Sequence, residues 1–140
     1  MAAKLKIKDN KSLDAFAIIV DINKFTHMVS ASEGLLIAQF TRDVLDGAIR
    51  AIEERDGEVV GFMGDAILGL VRTAESTLFA CCGIAEDVNK QCEYISTQQE
   101  EASQLWEFSP GGPSLKIGVE YGDLDVSTIS SRFLGDQKLV

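Results

Sequence analysis

Two aspartates sit where apolar runs end, and their surroundings suggest a shared cation site. Asp21 follows the continuous apolar run 15–20, which is typical of a strand buried on both faces. Asp65 lies in a Gly-Asp turn between the runs 57–63 and 66–71, which predicts a β-hairpin. If antiparallel neighbours bring the two carboxylates to one sheet edge, they can share a divalent metal. Such oxygen ligands suit Mg²⁺ or Mn²⁺, which keep water and substrate phosphates among their other ligands.

A simpler interpretation of the same two residues stays open at this point. Gly and Asp are common in turns for conformational reasons alone, and an Asp side chain can bond to nearby backbone groups. On the residue types alone, turn chemistry therefore explains Asp21 and Asp65 as well as a metal does. The two interpretations differ in whether the carboxylates meet.

The composition bounds the class of protein. The chain has 140 residues, of which 46% are hydrophobic and 25% charged, and this predicts one globular α/β or α+β domain. A net charge of −9 argues against a nucleic-acid surface, which needs concentrated Lys and Arg. Three cysteines in one predicted helix favour a reducing cytoplasm over a disulfide framework. The longest apolar run is too short to cross a bilayer, so we expect no membrane insertion.

The periodicity of apolar residues predicts the elements that hold the two aspartates. We expect a polar leader over residues 1–12 and a domain over 13–140. The predicted elements are a strand ending at Asp21, a helix over 32–55, the hairpin at Asp65, a helix over 73–104, and strands over 115–121 and 124–129 around a Gly122-Asp123 turn. The stripe of the second helix expected to pack on the sheet comprises Leu78, Cys82, Ala85, Val88, Cys92 and Ile95. The order β-α-β-β-α-β-β predicts a ferredoxin-like α+β fold, with a mainly antiparallel sheet and the helices on one face.

Three segments resemble one protein family in the family's own order. Residues 16–26, FAIIVDINKFT, resemble the F-x-D-I-x-G-F-T segment of class III nucleotidyl cyclases. Residues 57–66, GEVVGFMGDA, resemble their G-x-x-x-K/E-x-x-G-D-A hairpin, and residues 114–122, SLKIGVEYG, resemble their (R/K)-(V/I)-G-I-x-x-G strand. The resemblance covers roughly residues 14–131. It implies the ferredoxin-like cyclase domain, in agreement with the order of the predicted elements.

The resemblance implies a reaction and a set of catalytic residues. Asp21 and Asp65 would hold two Mg²⁺ or Mn²⁺ ions per site, with the backbone carbonyl of Ile22 as a further ligand. One ion would lower the pKa of the ribose 3′-hydroxyl, and the other would neutralise the triphosphate. The 3′-oxygen would attack the α-phosphorus and expel pyrophosphate, which leaves a 3′,5′-cyclic monophosphate.

The resemblance also implies residues that bind the phosphates. Backbone N–H groups of Asn23, Lys24, Phe25 and Thr26 would bind the β- and γ-phosphates, and Lys116 stands where the family has a phosphate-binding Arg or Lys. The family usually has a small residue followed by Gly at the positions of Asn23 and Lys24. A strand lysine faces solvent about as often as it faces a site, so both interpretations of Lys116 stay open.

The position expected to specify the base departs from the family pattern. Purine cyclases typically have Lys for ATP or Glu for GTP three residues before the Gly-Asp turn, and this chain has Gly61. This favours UTP or CTP, as in the cyclases of bacterial anti-phage Pycsar systems. An ATP or GTP cyclase is the alternative, and Gly61 can also mark a strand bulge.

The end of the sequence bears on activity and assembly. The family continues with a G-x-x-V-N-x-A-x-R segment, whereas this sequence ends at Val140, so we expect the domain to lack the C-terminal part of the family domain. In the family each site combines halves of two subunits, which implies a homodimer with composite active sites. A non-catalytic cyclase-homology domain that dimerises or regulates an attached module is the rival from another class.

Overall fold

The computed structural model describes residues 11–23, 34–98, 115–131 and 135–139. The elements in chain order are β1 (Lys11–Ile22), α1 (Gly34–Glu53), β2 (Glu58–Met63), β3 (Ala66–Val71), α2 (Ala74–Gln98), β4 (Leu115–Ser131) and β5 (Gly135–Leu139). The predicted element order and the α+β class are confirmed. Within the described residues, neither helix has a stretch that is both long and apolar enough to cross a bilayer.

The sheet has five strands in the order β2-β3-β1-β4-β5, and every neighbouring pair is antiparallel. β1 is the central strand. Its residues 16–21 pair with β3, and its residues 11–22 pair with β4. Because β1 and β3 run in opposite directions, the end of β1 meets the start of β3 at one edge of the sheet.

The predicted turn at Gly122-Asp123 is wrong. β4 is continuous through both residues, which pair with Ala15 and Asp14 of β1. Twelve consecutive residues of β4 pair with β1, and this ladder outweighs the local turn preference of a Gly-Asp dipeptide. The last strand is therefore β5 rather than residues 124–129.

One face of the sheet is covered by both helices, as predicted. Its core contains residues of β1, β3 and the two helices, namely Ile18, Val20, Ile67, Val71, Ala48, Ile52, Ala80 and Ile84. Side chains of a strand alternate between faces, so this set takes the even-numbered residues of β1. We call the opposite side the helix-free face, which carries the odd-numbered residues of β1.

The face that α2 packs on the sheet agrees with the predicted stripe at Val88 and differs from it at Leu78, Cys82 and Ala85. Thr77, Ala80, Ile84 and Val88 are buried, whereas Leu78 is 64% exposed and Cys82 and Ala85 are also exposed. Cys92 and Ile95 have side chains outside the described set. The helix carries apolar residues on two neighbouring stripes, and periodicity alone does not say which stripe meets the sheet.

A tight connection joins α1 to β2. Asp56 has a positive φ of 58°, and the backbone N–H of Gly57 donates to the carbonyl of Ile52 at 3.0 Å. The N–H of Asp56 donates to the carbonyl of Glu53 at 3.1 Å, which completes a Schellman motif. A Cβ at position 57 would lie 2.9 Å from the carbonyl oxygen of Leu70, so glycine allows the chain to enter β2 against β3.

The helix-free face is divided into two halves. Away from the β2–β3 turn, Val60 and Leu70 are buried among Leu13, Ala17, Leu68 and Leu124, and the backbone of β5 approaches β2. Towards the turn the face is more open, and Ile19 is 42% exposed. The open half is the part of the sheet that carries the two aspartates.

Candidate active site

Asp21 is held by strand pairing on both sides. It is the second-last residue of β1, on the helix-free face, and pairs with Ala66 of β3 and Lys116 of β4. The next residue, Ile22, is buried and marks the end of the strand. The Asp21 carboxylate is thus fixed at the edge of a sheet whose core lies directly behind it.

Asp65 is placed by a two-residue turn. Met63 and Ala66 form the last pair of the β2–β3 hairpin, with Gly64 and Asp65 between them. Gly64 has φ of +61°, which suits the first central residue of a type II′ turn and strongly favours glycine. Since Ala66 pairs with Asp21, this turn sets Asp65 beside Asp21.

The structure brings the two side chains together as the sequence led us to expect, since Asp21 lies close enough to Asp65 to raise its pKa. Burial is the main factor that raises the pKa of Asp65 above its ordinary value, and the neighbouring Asp21 raises it further. A backbone hydrogen bond to Asp65 acts in the opposite direction. Two anionic groups held this close repel one another, and a bound cation would relieve that repulsion.

The residues present fit a hard divalent cation. The described residues contain no group of three or more His, Cys, Asp or Glu side chains suited to a metal. Two carboxylates and a backbone oxygen such as that of Ile22 would leave several ligand positions for water and for a substrate. Mg²⁺ and Mn²⁺ accept such partial oxygen sets, whereas a structural zinc site needs four protein ligands.

The predicted phosphate-binding residues fall into two groups. Lys116 lies across the ladder from Asp21 on the same face, with its side chain exposed, so its ammonium group is available to an anion at this edge. Asn23 follows β1 directly in a turn at the same edge. Lys24, Phe25 and Thr26 lie outside the described residues, and their role stays a prediction.

Gly61 lies at an irregularity of β2. The register between β2 and β3 shifts between Val59 and Gly61, which is a β-bulge, and Gly61 then pairs with Leu68. The alternative interpretation of Gly61 as a bulge residue therefore has a structural basis. A role for this position in specifying the base stays a prediction.

The strand register also places four residues in one row that the motifs did not single out together. Gly61, Leu68, Ile19 and Gly118 are successive partners across β2, β3, β1 and β4. This row, which we call the shelf, is two residues along the strands from Asp21 and Lys116. The sequence indicates that Ile19 lies on the same face as Asp21, because the two residues are two positions apart in a strand. The partners of Ile19 on β3 and β4 can be identified only from the strand register.

Comparisons with known proteins agree on the fold. No protein-family model matches the sequence, and no curated protein matches it. A bacterial light-regulated adenylyl cyclase of solved structure aligns with 98% of this chain at a TM-score of 0.75 and 15% identity. The adenylyl cyclase CyaB from P. aeruginosa aligns with 93% of the chain at a TM-score of 0.69 and 10% identity. The fold is that of a class III cyclase domain.

A third structure with the cyclase fold contains a bound nucleotide. The guanylate cyclase domain of RhGC from Catenaria anguillulae, solved in complex with GTP, covers 92% of the chain at a TM-score of 0.58 and 15% identity. The chain spans 38% of the light-regulated cyclase, 68% of CyaB and 66% of the RhGC domain. At such low identities, the structural likeness shows the cyclase fold alone.

Proposed function

We propose that the protein is a metal-dependent nucleotidyl cyclase, which converts a nucleoside triphosphate into its 3′,5′-cyclic monophosphate and pyrophosphate. The observation that carries this proposal is the contact between Asp21 and Asp65 at one sheet edge. The pair lies at the ends of β1 and of the β2–β3 hairpin, in the two segments that resemble the cyclase motifs. The strand pairing brings these two positions together, and carboxylates at both of them suit a shared divalent cation.

The chain's own residues have separate tasks in the proposed reaction. The Asp21 and Asp65 carboxylates, with the Ile22 carbonyl, would hold Mg²⁺ or Mn²⁺. When bound, these ions lower the pKa of the 3′-hydroxyl and neutralise phosphate charge. Lys116 would bind a phosphate oxygen from the opposite side of the ladder. Positioning and charge stabilisation of this kind account for most of catalysis in phosphoryl transfer.

The bond changes are those of an in-line displacement. The ribose 3′-hydroxyl gives its proton to solvent water and its oxygen forms a bond to the α-phosphorus, while the bond from that phosphorus to the bridging oxygen breaks and pyrophosphate leaves with the electron pair. Backbone N–H groups over residues 23–26 would hold the leaving phosphates, as the resemblance of this segment to the cyclase motif implies. The chain thus orients the triphosphate from two sides.

We further propose UTP or CTP as substrate, with an anti-phage signal as the role of the product. Gly61 supports this because it has no side chain with which to recognise a purine, where purine cyclases use Lys or Glu. An ATP or GTP cyclase is the alternative substrate assignment. The proposal also includes a cytoplasmic homodimer with composite sites, supported by the exposed apolar side chain of Met63 (58% exposed), which lies on the face of the site.

Product analysis tests the proposal directly. The protein is incubated with Mn²⁺ and each of ATP, GTP, UTP and CTP, and cyclic nucleotides are identified by liquid chromatography and mass spectrometry. We expect one or both cyclic pyrimidine nucleotides, and loss of product in Asp65→Ala but not in Asp46→Asn, an exposed position on α1. Cyclic AMP as the main product would overturn the pyrimidine assignment. Nucleotide binding without any cyclic product would favour the rival regulatory domain.

A further inference from the structure

Part of the helix-covered face is left open by the two helices. Phe16 and Tyr121 are paired across β1 and β4 on this face, and their ring centroids lie 4.7 Å apart. Tyr121 is 57% exposed, and Val119, the preceding residue of β4 on the same face, is 47% exposed. The core under the helices includes contact with Ile117 of β4, one step earlier on this face. We call Phe16, Val119 and Tyr121 the aromatic patch.

The aromatic patch is separate from the candidate active site. Asp21 lies about 17 Å further along β1 and on the opposite face of the sheet. Apolar side chains that are exposed as a group mark interaction surfaces, and aromatic side chains are enriched at the centres of such surfaces. The proposed reaction does not use this part of the sheet, so the patch needs an explanation of its own.

Three aspartates border the aromatic patch on the same face. Asp14 and Asp123 are directly paired across β1 and β4 in the row next to the patch, and Asp125 lies one row beyond. All three are exposed, and Ser12 donates a hydrogen bond to Asp123. No Lys or Arg whose side chain the structure describes forms an ion pair with any of them. Like charges directly opposite in an antiparallel pair are destabilising, so the sheet carries this acidic border at a cost in stability.

The charge of the acidic border decides which partner fits the aromatic patch. A second copy that docked through the same patch would bring two sets of aspartates together, and like charges across an interface disfavour such pairing. Nucleic acids and anionic membranes are disfavoured for the same reason. A segment with Lys or Arg next to apolar side chains fits, because its cations can pair with the aspartates and also lie over the ring of Tyr121.

We propose that the aromatic patch is a docking surface for a basic segment of a partner protein, held by apolar contact with the patch and by ion pairs with Asp14 and Asp123. The inference does not depend on the proposed function, because none of these residues belongs to the candidate active site. The aspartate row and the aromatic row are about 7 Å apart along the strands, which is also the distance between alternate side chains of an extended peptide. An extended segment with a cationic and an apolar side chain at alternate positions therefore matches both rows.

A synthetic peptide tests the docking surface. Its sequence repeats Lys-Ser-Leu-Ser, which places lysine and leucine on one side of an extended chain. Binding of the fluorescein-labelled peptide to the full chain is measured by fluorescence anisotropy, and circular dichroism checks the fold of each variant. We expect Asp14→Asn/Asp123→Asn to weaken binding about tenfold through loss of two ion pairs. We expect a loss of about the same size in Tyr121→Ser, which removes the aromatic anchor.

Matched substitutions separate docking from general attraction between opposite charges. Glu53→Gln/Glu54→Gln removes two exposed charges from α1, and Leu78→Ser removes an exposed apolar side chain from α2. Both control variants should bind the peptide within about twofold of wild type. Equal weakening by the two double variants, or unchanged binding in Tyr121→Ser, would overturn the proposal. Equal binding of a peptide in which serine replaces every leucine, or no binding of the original peptide to wild type, would also overturn it.

Two further measurements test the other occupants of the patch. A lower mass of Tyr121→Ser than of wild type by light scattering would assign the patch to a second copy of the chain. Peptide binding tightened more than about tenfold in Lys4→Gln/Lys6→Gln/Lys8→Gln would assign it to the chain's own residues 4–8, which alternate lysine with leucine and isoleucine. Either result would overturn the proposal. Unchanged mass and affinity in these two measurements, with weakening confined to the variants of the patch and its border, would support it.

Discussion

The two faces of the central strand are built for different purposes. On the helix-covered side, Ile18 and Val20 are fully buried against the helices. On the helix-free side, Ile19 is 42% exposed and Asp21 contacts a second carboxylate. One strand thus supplies a core and a charged site from alternate residues. The difference indicates that the helix-covered side of β1 contributes to the core, and that the proposed chemistry at Asp21 comes at a cost in stability.

The sharpest test of this division is the loss of one carboxylate. We expect Asp21→Asn to lower kcat by a hundredfold to a thousandfold, because the neutral amide is a much poorer ligand for the cation, and comparable losses follow removal of single charge-stabilising groups elsewhere. Initial rates with Mn²⁺ measure the effect, and circular dichroism checks the fold. Asp46→Asn is the control. A variant with more than a tenth of wild-type kcat would show that Asp21 is not a metal ligand.

A substitution on the helix-covered face should have the opposite effect, namely lower stability with most of the activity retained. Ile52 is fully buried in the main core, so Ile52→Ala should lower the free energy of unfolding by about 3 kcal/mol through lost burial and the cavity left behind. Urea unfolding measures it, with the exposed Leu78→Ala as a control expected to change little. The folded variant should keep most of its activity at low temperature. Equal effects of the two substitutions would contradict the assignment of the core.

A smaller effect is expected from the lysine across the ladder. Lys116→Met keeps an unbranched side chain and removes the charge, so we expect KM for the nucleotide to rise about tenfold, in line with loss of one charged hydrogen bond. Steady-state kinetics across nucleotide concentrations measure this change. Lys90→Met, on the exposed side of α2, is the matched control. Unchanged KM in the first variant would place Lys116 in solvent rather than in the site.

The smallest expected effect is a rise in the thermal stability of the protein when one carboxylate of the site is made neutral. Because the pKa of Asp65 is raised, its ionised form is less favourable in the folded state than in the unfolded state. Asp65→Asn should raise Tm by about 1 to 3 °C at neutral pH in EDTA, which is the size expected of a partly exposed charge pair. The gain should fade as the pH falls through the pKa of Asp65, where the wild-type group becomes neutral. Calorimetry at several pH values measures it, and a loss of stability at neutral pH would contradict it.

The sequence led us to expect that the two aspartates could meet, although residue types alone left a turn role for each of them open. An apolar run that ends in Asp and a hairpin with Asp in its turn can meet only at a strand end, and antiparallel pairing supplies the common edge. The continuity of β4 through Gly122 was not predictable from local residue types, because it depends on pairing with a distant strand. The buried stripe of α2 was predicted only at Val88, since Leu78 and Ile84 lie on different apolar stripes and only tertiary packing selects between them.

Because β1 is the central strand, the two aspartates of the candidate site lie in segments that should open locally to different extents. Residues 16–21 are bonded to strands on both sides, so their amide hydrogens should exchange with solvent only when the whole domain unfolds. Asp65, in contrast, lies on a two-residue turn at the end of the β2–β3 hairpin, where opening needs few bonds to break. Asp21 is therefore held firmly in the sheet, whereas Asp65 can move away from it when the turn opens. A bound cation would hold the two carboxylates together and should slow amide hydrogen exchange at the turn more than anywhere in β1.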